Sequence, residues 1–164
     1  SFEALLQDKL ELNLVEGIIL PNMKTSGENE RCGFLNGEGR CSIHALRPGF
    51  CRIFPLGRFY ENHSFQYFLQ VHECPREPKL KVKVQKWIDT PDLKRNEKFI
   101  IDWHYFLKDV TARLGEQNGE QYQKMIDLYI LKSFYQEEWE KDRDFYEQFD
   151  ERLTKAKEIL KISG

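Results

Sequence analysis

All four cysteines of this 164-residue chain lie in one segment, and they constrain the fold more than any other feature of the sequence. They are Cys32, Cys41, Cys51 and Cys74, with the spacing C-x8-C-x9-C-x22-C. Thiolate sulfur binds zinc and iron–sulfur centres strongly, and four such ligands complete a tetrahedral zinc site or hold a four-cysteine cluster. We therefore predict that these four residues are the ligands of one metal centre, either an iron–sulfur cluster or Zn²⁺.

The spacing is only moderately specific for a metal, because it contains no C-x2-C knuckle of the kind found in structural zinc sites. The long gaps place each cysteine on a separate turn or strand end. Two alternatives remain open, namely two ordinary disulfides and four unrelated buried thiols. Disulfide scaffolds are usually shorter and richer in cysteine, because their bridges replace a core that a chain of this length can build for itself.

Positive charge surrounds the cysteines in the sequence. The arginines close to them are Arg31, Arg40, Arg47, Arg52, Arg58 and Arg76. Four thiolates around a metal leave a net negative charge, which nearby guanidinium groups would offset while lowering the thiol pKa values. A proline directly after the last cysteine, as in Cys74-Pro75, also occurs in bacterial ferredoxins. These features favour iron–sulfur over zinc, with solvated loop arginines as the simpler alternative.

Two histidines near the cysteines are further candidate donors. His44 and His72 could each replace a cysteine as ligand or hydrogen-bond a sulfur, although a structural or surface role is the expectation. The chain has no phosphate-binding loop, no G-x-S-x-G elbow and no H-E-x-x-H pair. We therefore predict no catalytic residues, and the sequence leaves open whether the protein is an enzyme.

The overall composition indicates a globular protein rather than a disordered one. Hydrophobic residues make up 40% of the chain and charged residues 32%. The net charge of −2 argues against broad nucleic-acid binding, which normally needs a basic surplus. No apolar run approaches the roughly 18 residues that a membrane span requires. We expect a cytoplasmic protein with no membrane and no nucleic-acid partner, and the sequence does not identify a protein partner.

Hydrophobic patterning predicts several strands in the first half of the chain. Leucines alternate with polar residues over 10–14, which favours a strand with one buried face. Residues 18–20 indicate a short buried strand that ends at Pro21. Residues 65–71 favour another strand. The alternation of lysine and valine over 81–84 predicts an exposed edge strand.

A hairpin signal lies between the first two cysteines. Asn36-Gly37 separates two apolar stretches, and both residues tolerate the positive φ of a tight turn. We expect this hairpin to bring Cys32 and Cys41 close together. An aromatic stretch follows, which we interpret as a hydrophobic shell around the metal site: Phe54, Phe59, Tyr60, Phe65, Tyr67 and Phe68.

Helical periodicity dominates the second half of the chain. Apolar residues at helix spacing predict helices over 91–114, 122–134 and 145–160, and Ser1 is placed to cap a short helix at the start. The fold class predicted is α+β. A strand- and loop-rich cysteine-cluster region that binds metal spans 1–90, and a helical region spans 91–164 and packs on it to form one domain.

The cysteine segment resembles a known family. Residues 32–58 are similar to the YkgJ-type cysteine-cluster proteins, a zinc- or iron-chelating family. The pattern C-x-F-L, G-x-C-x-I-[YH], R-P-x-x-C-R-x-F-P begins at Cys32 and ends at Pro55. The resemblance is specific over residues 32–58 and looser towards Cys74. It says little about the C-terminal helices. It implies metal chelation through the matching cysteines.

The chain departs from the family pattern in one respect. Members usually carry an upstream C-x2-C-x2-C-C cluster, whereas this chain has no cysteine before Cys32. Either that segment precedes Ser1 in a longer protein or this protein lacks it. The family is also related to flagellin lysine methylases. Two alternatives to a redox-linked metalloprotein therefore stand, which are a protein-modifying enzyme with an accessory metal centre and a structural zinc interaction module.

Overall fold

Short antiparallel strand pairs precede long helices along the chain, which confirms the predicted α+β class. The structure, a computed structural model, describes residues 1–28, 30–73, 81–116 and 119–162. These form two compact units. The first comprises residues 1–42 and 106–164, and the second comprises residues 43–105.

The first unit begins with a capped helix. Helix α1 spans Phe2–Asp8, and the side chain of Ser1 accepts a hydrogen bond from the backbone N–H of Ala4 at 3.3 Å. Such a cap satisfies one of the N–H groups that the first turn of a helix leaves without an intrahelical partner. The short helix predicted at this end of the chain is therefore confirmed.

A β-hairpin follows the first helix. Strand β1, Leu10–Val15, pairs antiparallel with strand β2, Ile18–Met23. The two residues of the connecting turn, Glu16 and Gly17, have φ angles of 50° and 87°. Positive φ at both central positions is typical of the tight turn whose twist matches that of the flanking strands.

The predicted end of the second strand at Pro21 is wrong. Strand β2 continues through Pro21 to Met23, and Pro21 lies opposite Leu12. Among the described residues this sheet has only the two strands β1 and β2, so both are edge strands. A proline is tolerated at a sheet edge because its missing N–H need not pair with a further strand.

A second, much shorter strand pair follows in the first unit. Strand β3, Thr25–Ser26, pairs antiparallel with strand β4, Arg31–Cys32. Cys32 therefore lies at the end of a strand, as the spacing of the cysteines predicts.

Helices build the core of the first unit. Helix α5 spans Glu120–Leu131, a π-helical segment spans Lys132–Gln136, and helix α6 spans Phe145–Leu160. The buried side chains of this unit come mostly from these elements and from the end of the preceding long helix: Ile18, Phe106, Val110, Ile126, Ile130, Leu131, Phe134, Phe149, Leu153, Ala156 and Leu160. The helices predicted over 122–134 and 145–160 are therefore confirmed.

The second unit contains one hairpin and short helices. Helix α2 spans Gly49–Ile53, and strand β5, Leu56–Glu61, pairs with strand β6, Ser64–Leu69. Helix α3 spans Val84–Ile88, and helix α4 begins in this unit and runs over Leu93–Glu116. The sequence patterns predict β6 and α4 but miss β5.

The edge strand predicted over 81–84 is wrong. Residues 81–83 have no regular structure, and Val84 is the first residue of α3. The buried side chain of Ile88 and a hydrogen bond from Trp87 Nε1 to the carbonyl of Phe54, 3.0 Å long, fix this helix in the unit. An alternation of only four residues is too short to separate strand from helix when tertiary contacts favour the helix.

One face of the β5–β6 hairpin packs on α4. Tyr60 stacks on His104 with ring centroids 3.7 Å apart, and the Tyr67 hydroxyl donates to Glu97 at 3.2 Å. These aromatic residues, interpreted from the sequence as a shell around the metal, anchor the hairpin to the helix. No helix in the described part of the chain combines the length and apolarity needed to cross a membrane.

Candidate metal centre

The backbone around Cys32 is held by short-range pairing. Cys32 lies opposite Thr25 in the β3–β4 pair. The Cys32 carbonyl accepts a hydrogen bond from the Leu35 N–H at 3.0 Å and so closes a tight turn. These two contacts fix the position of the Cys32 backbone.

A turn forms at Asn36 between Cys32 and Cys41, but the positive φ predicted for Asn36 and Gly37 is wrong, because the positive φ of this loop lies at Gly39, at 73°. The side chain of Asn36 accepts hydrogen bonds from the backbone N–H groups of Glu38, at 3.0 Å, and Arg40, at 2.9 Å. This Asx-type bonding is the physical reason that asparagine favours turns. Cys41 then lies opposite Leu35 in a β-bridge. Cys32 is therefore one tight turn away from the residue that pairs with Cys41.

A lysine from the start of the chain supports the same loop. Lys9 Nζ donates to the carbonyl of Gly33 at 2.9 Å and lies 5.8 Å from the centroid of the Phe34 ring. The contact places a positive charge on the residue that directly follows Cys32. The sequence reasoning missed Lys9 because its contact with the loop joins residues 24 positions apart, and no local pattern signals it.

Cys51 lies in the second unit, on the short helix α2. Its backbone N–H donates to the carbonyl of Pro48 at 3.0 Å, in the first turn of that helix. The next side chain, Arg52, donates to three backbone carbonyls, those of Ala45 at 3.0 Å, Arg47 at 3.2 Å and Asp89 at 3.2 Å. Arg52 is therefore a structural brace that also keeps a fixed positive charge next to Cys51.

The thiols fit the donor chemistry of a soft metal. Cys32, Cys41 and Cys51 are all half-buried, and Cys32 and Cys41 are free thiols rather than a disulfide. Thiolate sulfur is a preferred ligand of zinc and of iron–sulfur centres. The residues that could hold zinc or iron are thus present in both units. Cys74, with Pro75, lies outside the described residues.

Within the described ranges, no three side chains of cysteine, histidine, aspartate or glutamate lie together as a ligand set. The assignment of the four cysteines to one centre therefore stays a prediction. His44 contacts an arginine instead, with 3.3 Å between its Nε2 and Arg47 Nη1. His72 is exposed. Neither histidine is placed as a ligand.

The comparison with known families bears directly on this segment. Residues 4–75 match the model of a family described as a putative zinc- or iron-chelating domain. The match spans all four cysteines, although their spacing differs from the C-x2-C-x2-C-C motif for which the family model is named. No curated protein and no solved structure shows significant similarity to the chain.

Proposed function

We propose that this chain is a metal-binding protein in which Cys32, Cys41, Cys51 and Cys74 hold one metal centre, an iron–sulfur cluster or a zinc ion. The observation that carries the proposal is the match to a metal-chelating family over residues 4–75, because this match contains every cysteine of the chain. The half-buried state of the described thiols supports it, since an exposed thiol would bind metal less selectively.

Positive charge near the cysteines favours an iron–sulfur cluster over a zinc ion. Lys9 lies against the residue after Cys32, and Arg52 follows Cys51 directly. Positive groups near cluster sulfur stabilise the reduced, more negative state and so raise its reduction potential. A redox-linked role follows from a cluster, whereas a zinc ion implies a structural module that binds a partner. We further propose a cytoplasmic location, because thiols persist in reducing compartments.

The experiment is the metal content of the protein purified without oxygen. Iron with acid-labile sulfide and a brown visible spectrum support the cluster, and one zinc per chain in a colourless protein supports the zinc site. The matched variants are Cys41→Ser, which should lower the bound metal, and His63→Gln, which replaces an exposed histidine and should not. Metal-free wild-type protein, or equal metal in all three proteins, contradicts the proposal.

A further inference from the structure

A polar pocket lies entirely within the second unit. Its volume is about 520 Å³, which is within the range of small-molecule sites. The polar residues that line it are His44, Arg47, Arg52, Asp89 and Thr90. No cysteine lines it, so a ligand in this pocket would contact other side chains than those of the proposed metal ligands.

The wall of this pocket is preformed. Arg52 ties the 3₁₀ turn His44–Leu46 to the end of α3, because its guanidinium donates both to the Ala45 carbonyl at 3.0 Å and to the Asp89 carbonyl at 3.2 Å. Its Nε–H donates to the Arg47 carbonyl at 3.2 Å. A site whose backbone is fixed in this way needs little reordering when a ligand enters.

Two side chains in the pocket present hydrogen-bond donors. A guanidinium group has no acceptor and stays protonated, so Arg47 Nη1 donates to His44 Nε2 across 3.3 Å. With Nε2 accepting from Arg47, the donor of the His44 ring is Nδ1–H. Among the described residues Arg47 makes only this side-chain contact, and its other N–H groups remain for a ligand.

The charge of the pocket is positive. Two guanidinium groups, Arg47 and Arg52, face a single carboxylate, Asp89, and the hydroxyl of Thr90 adds a neutral donor. We propose that this pocket binds the oxyanion group, a carboxylate or a phosphate, of a small ligand, with Arg47 and His44 as its principal donors. The planar fork of an arginine matches the paired oxygens of both groups.

The test is a titration of the ¹⁵N-labelled full chain with sodium phosphate and, separately, with sodium acetate, at an ionic strength held constant with sodium chloride. Saturable amide shifts confined to residues 44–47 and Thr90 are the expected result. Tighter binding of phosphate identifies a phosphate-bearing ligand, and tighter binding of acetate identifies a carboxylate. Shifts that grow linearly without saturation, or that spread over all exposed arginines, overturn the proposal.

Substitutions of Arg47 and His44 test whether these two side chains bind the probe. Arg47→Met should weaken the binding of the phosphate or acetate probe by about tenfold or more, since it removes a charge-assisted donor pair. The matched control is Arg40→Met, at an exposed arginine in the first unit, which should leave binding unchanged. Should Arg47→Met disturb the fold, His44→Ala removes only an exposed ring and should weaken the probe severalfold. Wild-type affinity in a folded Arg47→Met or His44→Ala protein overturns the proposal.

Discussion

The carboxylate of Asp127 accepts a hydrogen bond from the backbone N–H of Ile19 at 2.9 Å, across a separation of 108 residues in the sequence. Its other oxygen accepts from Gln123 Nε2 at 3.1 Å, and the same amide of Gln123 donates to the Gly17 carbonyl. Asp127 is only 4% exposed. Two side chains of α5 thus fasten the β1–β2 hairpin to the helical core of the first unit.

Replacing Asp127 should destabilise this unit. In Asp127→Ala the N–H of Ile19 keeps its position but loses its acceptor, which should lower the free energy of unfolding by about 1–3 kcal/mol. Asp127→Asn retains one carbonyl oxygen and should lower it less. The measurement is urea denaturation followed by circular dichroism. Asp142→Ala, at an exposed turn position, is the control, and an equal effect of Asp142→Ala and Asp127→Ala would contradict this role.

A second prediction concerns Arg152, which closes the end of the π-helical segment. Its guanidinium donates to the carbonyls of Ser133, at 2.7 Å, and Glu138, at 2.6 Å, and lies 3.8 Å from the centroid of the Trp139 ring. Arg152→Met should lower the free energy of unfolding by about 2 kcal/mol or more, because these carbonyls lose a charged donor and the ring loses a cation–π contact.

The matched control for Arg152 is Arg143. Arg143 pairs with Glu140 at 3.1 Å and with Glu151 at 2.6 Å, but these are ion pairs between exposed carboxylates and a partly exposed guanidinium. Such exposed pairs contribute little, because solvent screens the attraction between the charges. Arg143→Met should therefore be the milder variant in thermal or urea melts. If Arg143→Met lowers the free energy of unfolding more than Arg152→Met does, the contacts of Arg152 with the backbone carbonyls are unimportant for stability.

A third prediction concerns alkaline pH. Burial raises the pKa of Tyr135, next to the ring of Phe2, from 10.0 to about 12. The unfolded chain loses this proton near pH 10 while the folded chain still holds it, so the free energy of unfolding should fall as pH rises from about 10 to about 12. Tyr135→Phe has no proton to lose and should show a smaller fall. Identical pH slopes for the two proteins in urea melts would rule out this cause.

The helices and the strands β1 and β2 were predictable because their information is local. The buried face predicted for β1 is wrong, since Leu12 and Leu14 are exposed. Apolar residues at helix spacing define α5 and α6, and the Ser1 cap is visible in the first residues of the sequence. Where the pattern is short, prediction fails. The four residues 81–84 satisfy a strand pattern, but the burial of Ile88 makes a helix of the segment that begins at Val84.

The candidate site likewise has features that the sequence predicts and features that it does not. The turn before Cys41 has a local signal in Asn36, whose side chain accepts hydrogen bonds from the backbone N–H groups of Glu38 and Arg40. The contact of Lys9 with the cysteine loop and the bracing of three carbonyls by Arg52 depend on tertiary structure, so no sequence pattern reveals them. The chemistry of the cysteines predicts that a metal binds, but it does not predict how the ligands are arranged around that metal.

A fourth prediction concerns the stability that a metal supplies. When zinc or a cluster is bound, its binding free energy adds to folding, so Cys41→Ser or Cys51→Ser should destabilise the metal-loaded protein by several kcal/mol. After the metal is removed with a chelator, the same substitutions should have little effect. Thermal melts of loaded and stripped protein provide the comparison. Substitutions that cost the same in both forms would mean that the thiols act only through packing.

The most direct measurement is X-ray absorption at the edge of the metal that copurifies with the protein. Ligation by Cys32, Cys41, Cys51 and Cys74 predicts a metal with four sulfur neighbours at about 2.3 Å. Serine at any one of the four positions should replace one sulfur with oxygen or release the metal. A first shell made only of oxygen and nitrogen, or the same spectrum after all four cysteines are replaced, would contradict the account.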